Sequence, residues 1–137
     1  QKPSFILAKW SLYFLVFSSL GPWTLGAIMK TLGSTSVWCH NAIYFYLHFL
    51  YNGFFTLALL ALFFFLLEKH GFAMADDKFK SLTKWLISSI ILTFFLSVLW
   101  SVPPQIFYSL ATIGAIVQLV TFLELSRFLK QIWPEFK

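Results

Sequence analysis

A single histidine, His48, interrupts a run from Ala42 to Leu67 (AIYFYLHFLYNGFFTLALLALFFFLL) that contains no Asp, Glu, Lys or Arg. At 3.6 residues per turn, a helix through this run places Tyr44, His48, Tyr51, Asn52 and Phe55 on one side, with Gly53 leaving a gap beside them. A neutral imidazole nitrogen is an axial ligand for haem iron or a ligand for copper. Its second nitrogen then needs an acceptor, such as a tyrosine oxygen or a carbonyl. Three roles for His48 are open on this reading: a hydrogen bond between helices, ligation of haem or another metal, and proton transfer. In the ligand role, Tyr44, Tyr51 and Asn52 line the same cofactor-binding pocket.

Other candidates are weaker because their spacing serves simpler purposes. Cys39 and His40 could share a metal, but adjacent residues point apart on a helix, so a common site requires a loop there. Cys39 is the only cysteine and forms no intrachain disulfide. His70, next to Gly71, suits the negative end of a helix dipole. Glu124 stands three residues before Arg127, the spacing of an ion pair, and could otherwise take up protons from the cytoplasm. Gln118 is expected to hydrogen-bond across a bundle. There is no paired-cysteine zinc pattern, Walker loop, GxGxxG fingerprint or HExxH helix, which removes the soluble nucleotide-driven enzymes.

The elements that position these groups are membrane spans. Of the 137 residues, 59% are apolar, 21% aromatic and only 11% charged, far from the balance of a soluble domain. About 20 apolar residues cross a hydrocarbon core of ~30 Å as a helix. Four segments qualify, at about 5–29, 42–67, 85–102 and 105–126, so the expected fold is an all-α, integral membrane four-helix bundle forming a single domain. Four crossings put both termini on one side. Lys2, Lys9, Lys69, Lys78, Lys80, Lys84, Arg127, Lys130 and Lys137 fall on that side and Lys30 alone on the other, which places both ends in the cytoplasm. The net charge of +5 is then a topology signal and a contact for anionic lipid, without nucleic acid. Trp10, Trp85 and Trp133 mark one interface, and Trp23, Trp38 and Trp100 the other.

Local signals refine this plan. Gly21-Pro22 should kink the first helix, and Thr31–Asn41 carries turn and cap residues. Ser81 or Asp77 could cap the third helix, and Pro103-Pro104 ends it. Ser89, Thr93, Ser97 and Ser101 form a small-residue stripe on that helix. Ala111, Gly114 and Ala115 form a close-approach patch on the fourth. Gln1 in place of an initiating methionine suits a processed chain or a piece of a larger polypeptide.

The segment YLHFLYNGFF resembles the histidine-bearing helix of the haem–copper oxidase superfamily, especially nitric-oxide-reductase-like main subunits, in which H-L-W-V-E-G-x-W places glycine five residues after the histidine. His48 and Gly53 keep that spacing, Phe49 and Tyr51 are bulky neighbours, and Asn52 stands where the family has an acid. The resemblance covers about 25 residues and implies that His48 is a metal ligand near a buried haem in a respiratory-type electron-transport module. The whole sequence is also similar to the C-terminal part of multi-spanning, loosely oxidase-like proteins of Bacteroidetes. That likeness implies a bacterial inner membrane, and places the paired histidines of the family, which this chain lacks, in an upstream half. The alternative from the residues alone is a non-enzymatic transporter half or structural subunit, bound to lipid and to other membrane helices, with His48 bonding between helices. A proton-coupled carrier using His48 and Glu124 is a third reading.

Overall fold

The computed structural model describes residues 2–72, 74–132 and 134, and among these every regular element is helical. Four segments are long and apolar enough to cross a membrane: Pro3–Leu32, Val37–Lys69, Asp76–Ser101 and Gln105–Ile132. At ~1.5 Å per residue each is at least ~39 Å long, more than the ~30 Å hydrocarbon core requires. The chain is an all-α four-helix bundle and a multi-pass membrane protein. Trp133 and Lys137, both used in the topology argument, lie outside the described residues.

The first span is two helices, α1 (Pro3–Ser18) and α2 (Leu20–Leu32), divided at Ser19. Pro22 causes the division, because it has no N–H to offer the Ser18 carbonyl and its ring clashes with that turn. The hydroxyls of Ser18 and Ser19 turn back onto the Leu15 and Val16 carbonyls, at 2.8 and 2.6 Å. Gly21 answers a second need. A Cβ there would lie 2.8 Å from both the Ala42 carbonyl oxygen and the Tyr46 Cβ, so the first and second spans touch at this glycine.

The second span begins at Ser36, whose hydroxyl caps α3 (Val37–His48) by accepting the Cys39 N–H at 3.2 Å. A π-helical stretch, Phe49–Phe55, follows directly, and α4 (Thr56–Lys69) completes the span. The third span, α5 (Asp76–Ser97) with a 3₁₀ turn at Leu99–Ser101, starts nine residues earlier than its apolar run suggests. Neither Ser81 nor Asp77 caps it. Ala75 occupies the cap position, while Asp76 and Asp77 sit in the first turn, where the helix dipole favours negative charge. Phe79, Leu82 and Thr83 are buried, so this polar-looking stretch folds as an amphipathic extension. Val102 then takes a left-handed conformation (φ 52°) ahead of Pro103-Pro104, a strained choice for a β-branched residue that reverses the chain into α6 (Gln105–Ile132). That helix continues past Ser126 because Phe128 is buried, its ring stacked on Phe64 at 5.9 Å.

The first and second spans pair along their lengths, as do the third and fourth, and the second and third join the pairs. Near the termini, Leu7, Phe64, Leu82 and Phe128 bring all four spans into one core. In the other half, Phe14, Phe45, Phe49 and Phe94 form an aromatic cluster with centroid spacings of 4.8–5.9 Å. Of the expected close-approach patch on α6, Ala111 and Gly114 are buried and Ala115 faces out. No more than a third of any span is buried, and the outward surface of Phe, Leu, Ile and Val meets the lipid bilayer. The five described tryptophans are all exposed on the outside of the bundle, from 36% at Trp10 to 79% at Trp23.

Candidate functional site

His48 is the last residue of α3 and is 7% exposed. Its Nε2 lies 2.8 Å from the Ile90 carbonyl oxygen on α5. A carbonyl only accepts, so Nε2 carries the proton and Nδ1 is the acceptor. Nδ1 receives the Ser97 hydroxyl at 3.2 Å and the Asn52 amide N–H at 3.3 Å. The edges of Phe49 and Phe94 close the ring in, with centroids at 5.1 and 5.7 Å. Both nitrogens are therefore hydrogen-bonded, and in this arrangement neither is free to take a metal.

A π-helical stretch follows immediately after His48. One turn is widened, and Thr56 Oγ1 donates to the Tyr51 carbonyl five residues back at 3.0 Å. Side chains beyond the widening no longer follow α-helical spacing. Of Tyr44, Tyr51, Asn52 and Phe55, which the spacing places on one side with His48, the structure brings only Asn52 into a hydrogen bond with the imidazole. Tyr44 is 41% exposed beside Trp100, and Tyr51 is 58% exposed and stacked on Phe55. The gap at Gly53 is filled from the neighbouring span, because a Cβ at this glycine would lie 2.7 Å from the Phe14 ring.

Asn52 faces two ways. Beyond its bond to His48 it lines an outward-opening cleft of about 230 Å³ with Thr56, Ser89, Thr93, Gln118 and Thr121. The hydroxyls here donate to their own helices: Ser89 to the Leu86 carbonyl, Thr93 to Ser89 and Thr121 to Val117. Gln118 is exposed toward this cleft and makes no hydrogen bond among the described residues, so the expected bond across the bundle is not formed. Comparison of the chain with protein-family models, curated proteins and solved structures returns no match.

The remaining candidates separate. Cys39 is buried, whereas His40 faces out, its Nδ1 bonded to the Ser36 carbonyl at 3.0 Å and its ring against Trp100. Both lie inside α3, without the loop a shared site requires. No group of three His, Cys, Asp or Glu side chains converges among the described residues. His70 caps the end of α4 through the Leu66 carbonyl at 2.8 Å, as its position suggests. Glu124 and Arg127 form no ion pair with each other; both line a cavity between α5 and α6. Sequence reasoning missed Glu68, whose carboxylate accepts the Ser4 N–H at 2.9 Å and the Ser4 hydroxyl at 2.8 Å, capping α1 from the end of the adjacent span. The available signal was antiparallel register: the first acid after the second apolar run must fall level with the start of the first.

Proposed function

We propose that this chain is a non-enzymatic helical membrane subunit or transporter half, in which His48 is a hydrogen-bonded strut fastening the second span to the third. One observation carries this reading: the imidazole is saturated, with Ile90 on one nitrogen and Ser97 and Asn52 on the other. An orphan polar group in lipid costs several kcal/mol, roughly, so a ring with every site satisfied is what a structural role requires. The outward, unpartnered Gln118 carboxamide and the broad apolar faces of the first and fourth spans favour lateral contact with further membrane helices.

A second reading keeps His48 as the ligand of a haem or metal in a respiratory-type module, with Asn52, Tyr44 and Tyr51 around it. It is favoured by the π-helical stretch, a feature that recurs at functional sites, and by the oxidase-like spacing of His48 and Gly53. Ligation through Nδ1 would require Ser97 and Asn52 to swing away. Absorption spectroscopy of protein purified from its native membrane separates the two. A colourless wild type supports the strut. A haem Soret band that disappears in a folded His48→Ala variant establishes the ligand. In either case the basic residues at the terminal end favour termini in the cytoplasm of a bacterial inner membrane. Thiol labelling of a cysteine introduced at Ser34, in a Cys39→Ala background, should succeed from outside intact cells; labelling only after lysis reverses the orientation.

A further inference from the structure

At the terminal end of the bundle, the first turns of α5 and the last turns of α6 flank a half-open cavity of about 440 Å³. Asp77 and Lys78 line it from α5, Glu124 and Arg127 from α6, and Leu82 and Phe128 form an apolar floor. Asp77, Lys78 and Arg127 are exposed at its rim, and two features mark it. These four side chains carry two charges of each sign, yet no ion pair joins them to each other or to other described residues. The cavity also lies where apolar span gives way to charged helix end, as lipid headgroup sites do.

We propose that this cavity binds the headgroup of a zwitterionic phospholipid with a primary ammonium, that is, a phosphoethanolamine lipid. The charge set selects this class. The Arg127 guanidinium, a planar fork matched to phosphate oxygens, and the Lys78 ammonium face a phosphodiester. The Glu124 and Asp77 carboxylates accept N–H bonds from the ammonium. A purely anionic headgroup brings no cation to those two carboxylates and is repelled by them. A choline headgroup has the right charge but no N–H to donate. Leu82 and Phe128 receive the start of the acyl chains, and the volume is in the usual range of ligand sites, ~300–1,000 Å³. The inference depends on the chain being a membrane protein and not on the role of His48.

The test uses the full chain in nanodiscs of defined composition, with bound lipid counted by native mass spectrometry. Phosphatidylethanolamine should be retained about tenfold more tightly than phosphatidylcholine or phosphatidylglycerol of the same acyl chains. Arg127→Gln should weaken that retention about tenfold. Glu124→Gln should remove the preference over phosphatidylcholine, and Lys78→Gln, at an exposed helix position, provides a variant expected to keep the fold. Equal retention of the choline lipid, or tighter retention of phosphatidylglycerol, overturns the proposal in favour of ordinary attraction between a basic surface and lipid. Glycerophosphoethanolamine added to detergent-solubilised protein distinguishes a free phosphoester from a lipid. Weak binding supports the lipid, whereas binding as tight as the lipid's overturns that assignment.

Discussion

A lone imidazole among phenylalanines states its own problem, because two nitrogens must find partners where water is absent. That much was legible in the sequence, and so was Asn52 as a neighbour four residues on. The Ile90 carbonyl was not, since a backbone acceptor has no residue-type signature. Ser97 was visible only as one of a small-residue stripe, and the structure gives it a second task as a donor to His48. If the strut reading holds, His48→Ala should destabilise the bundle by about 1–3 kcal/mol, as interhelical hydrogen bonds in membranes average ~0.6 kcal/mol each and a packed ring is lost as well. The cycle of His48→Ala, Ser97→Ala and the double variant, read by unfolding in bicelles, should give a coupling of about 0.5–1.5 kcal/mol. Additive effects would mean that the 3.2 Å contact holds nothing together.

At the scale of elements, existence was easier to read than extent. Apolar length identifies a span, but α5 begins in DDKFKSLTK, a stretch whose charges hide an amphipathic helix that buries Phe79 and Leu82. The π-helical stretch is illegible for a different reason: it alters the periodicity from which side-chain faces beyond His48 are inferred, Tyr51 among them, whereas Tyr44 precedes it in α3 and lies against Trp100. Glycines show which contacts are tight. At Gly114 a Cβ would lie 2.7 Å from the Leu92 carbonyl carbon and 2.8 Å from the Thr93 nitrogen, backbone atoms that cannot turn aside, whereas at Gly26 nothing lies within 4 Å. Gly114→Ala should therefore force α5 and α6 apart at a cost of about 1–3 kcal/mol. Gly26→Ala should stabilise α2 by about 0.5–1 kcal/mol through helix propensity. Unfolding midpoints of the two variants should move in opposite directions; a shift of the same sign in both would refute the close approach.

Across the whole molecule, the four-span plan followed from apolar length and tryptophan position, because a bilayer fixes both. The pairing of spans did not follow, since lipid-facing and helix-facing leucines look alike where no hydrophobic drive separates them. The result is an uneven bundle. The second and third spans are the better buried, while the first and fourth have only 17% of their apolar windows inside. Gln118 sits midway along the fourth span with its carboxamide unpaired. In the isolated chain that group is a liability, so Gln118→Leu should raise stability in bicelles by about 1 kcal/mol. In the native membrane the same carboxamide offers a donor and an acceptor to a neighbouring helix, and its loss should reduce lateral cross-linking at the adjacent Phe122. Greater stability together with weaker association marks a residue retained for a partner. If Gln118→Leu instead lowers the stability of the isolated chain, the carboxamide has a partner within the bundle, and the outward cleft is not a contact surface.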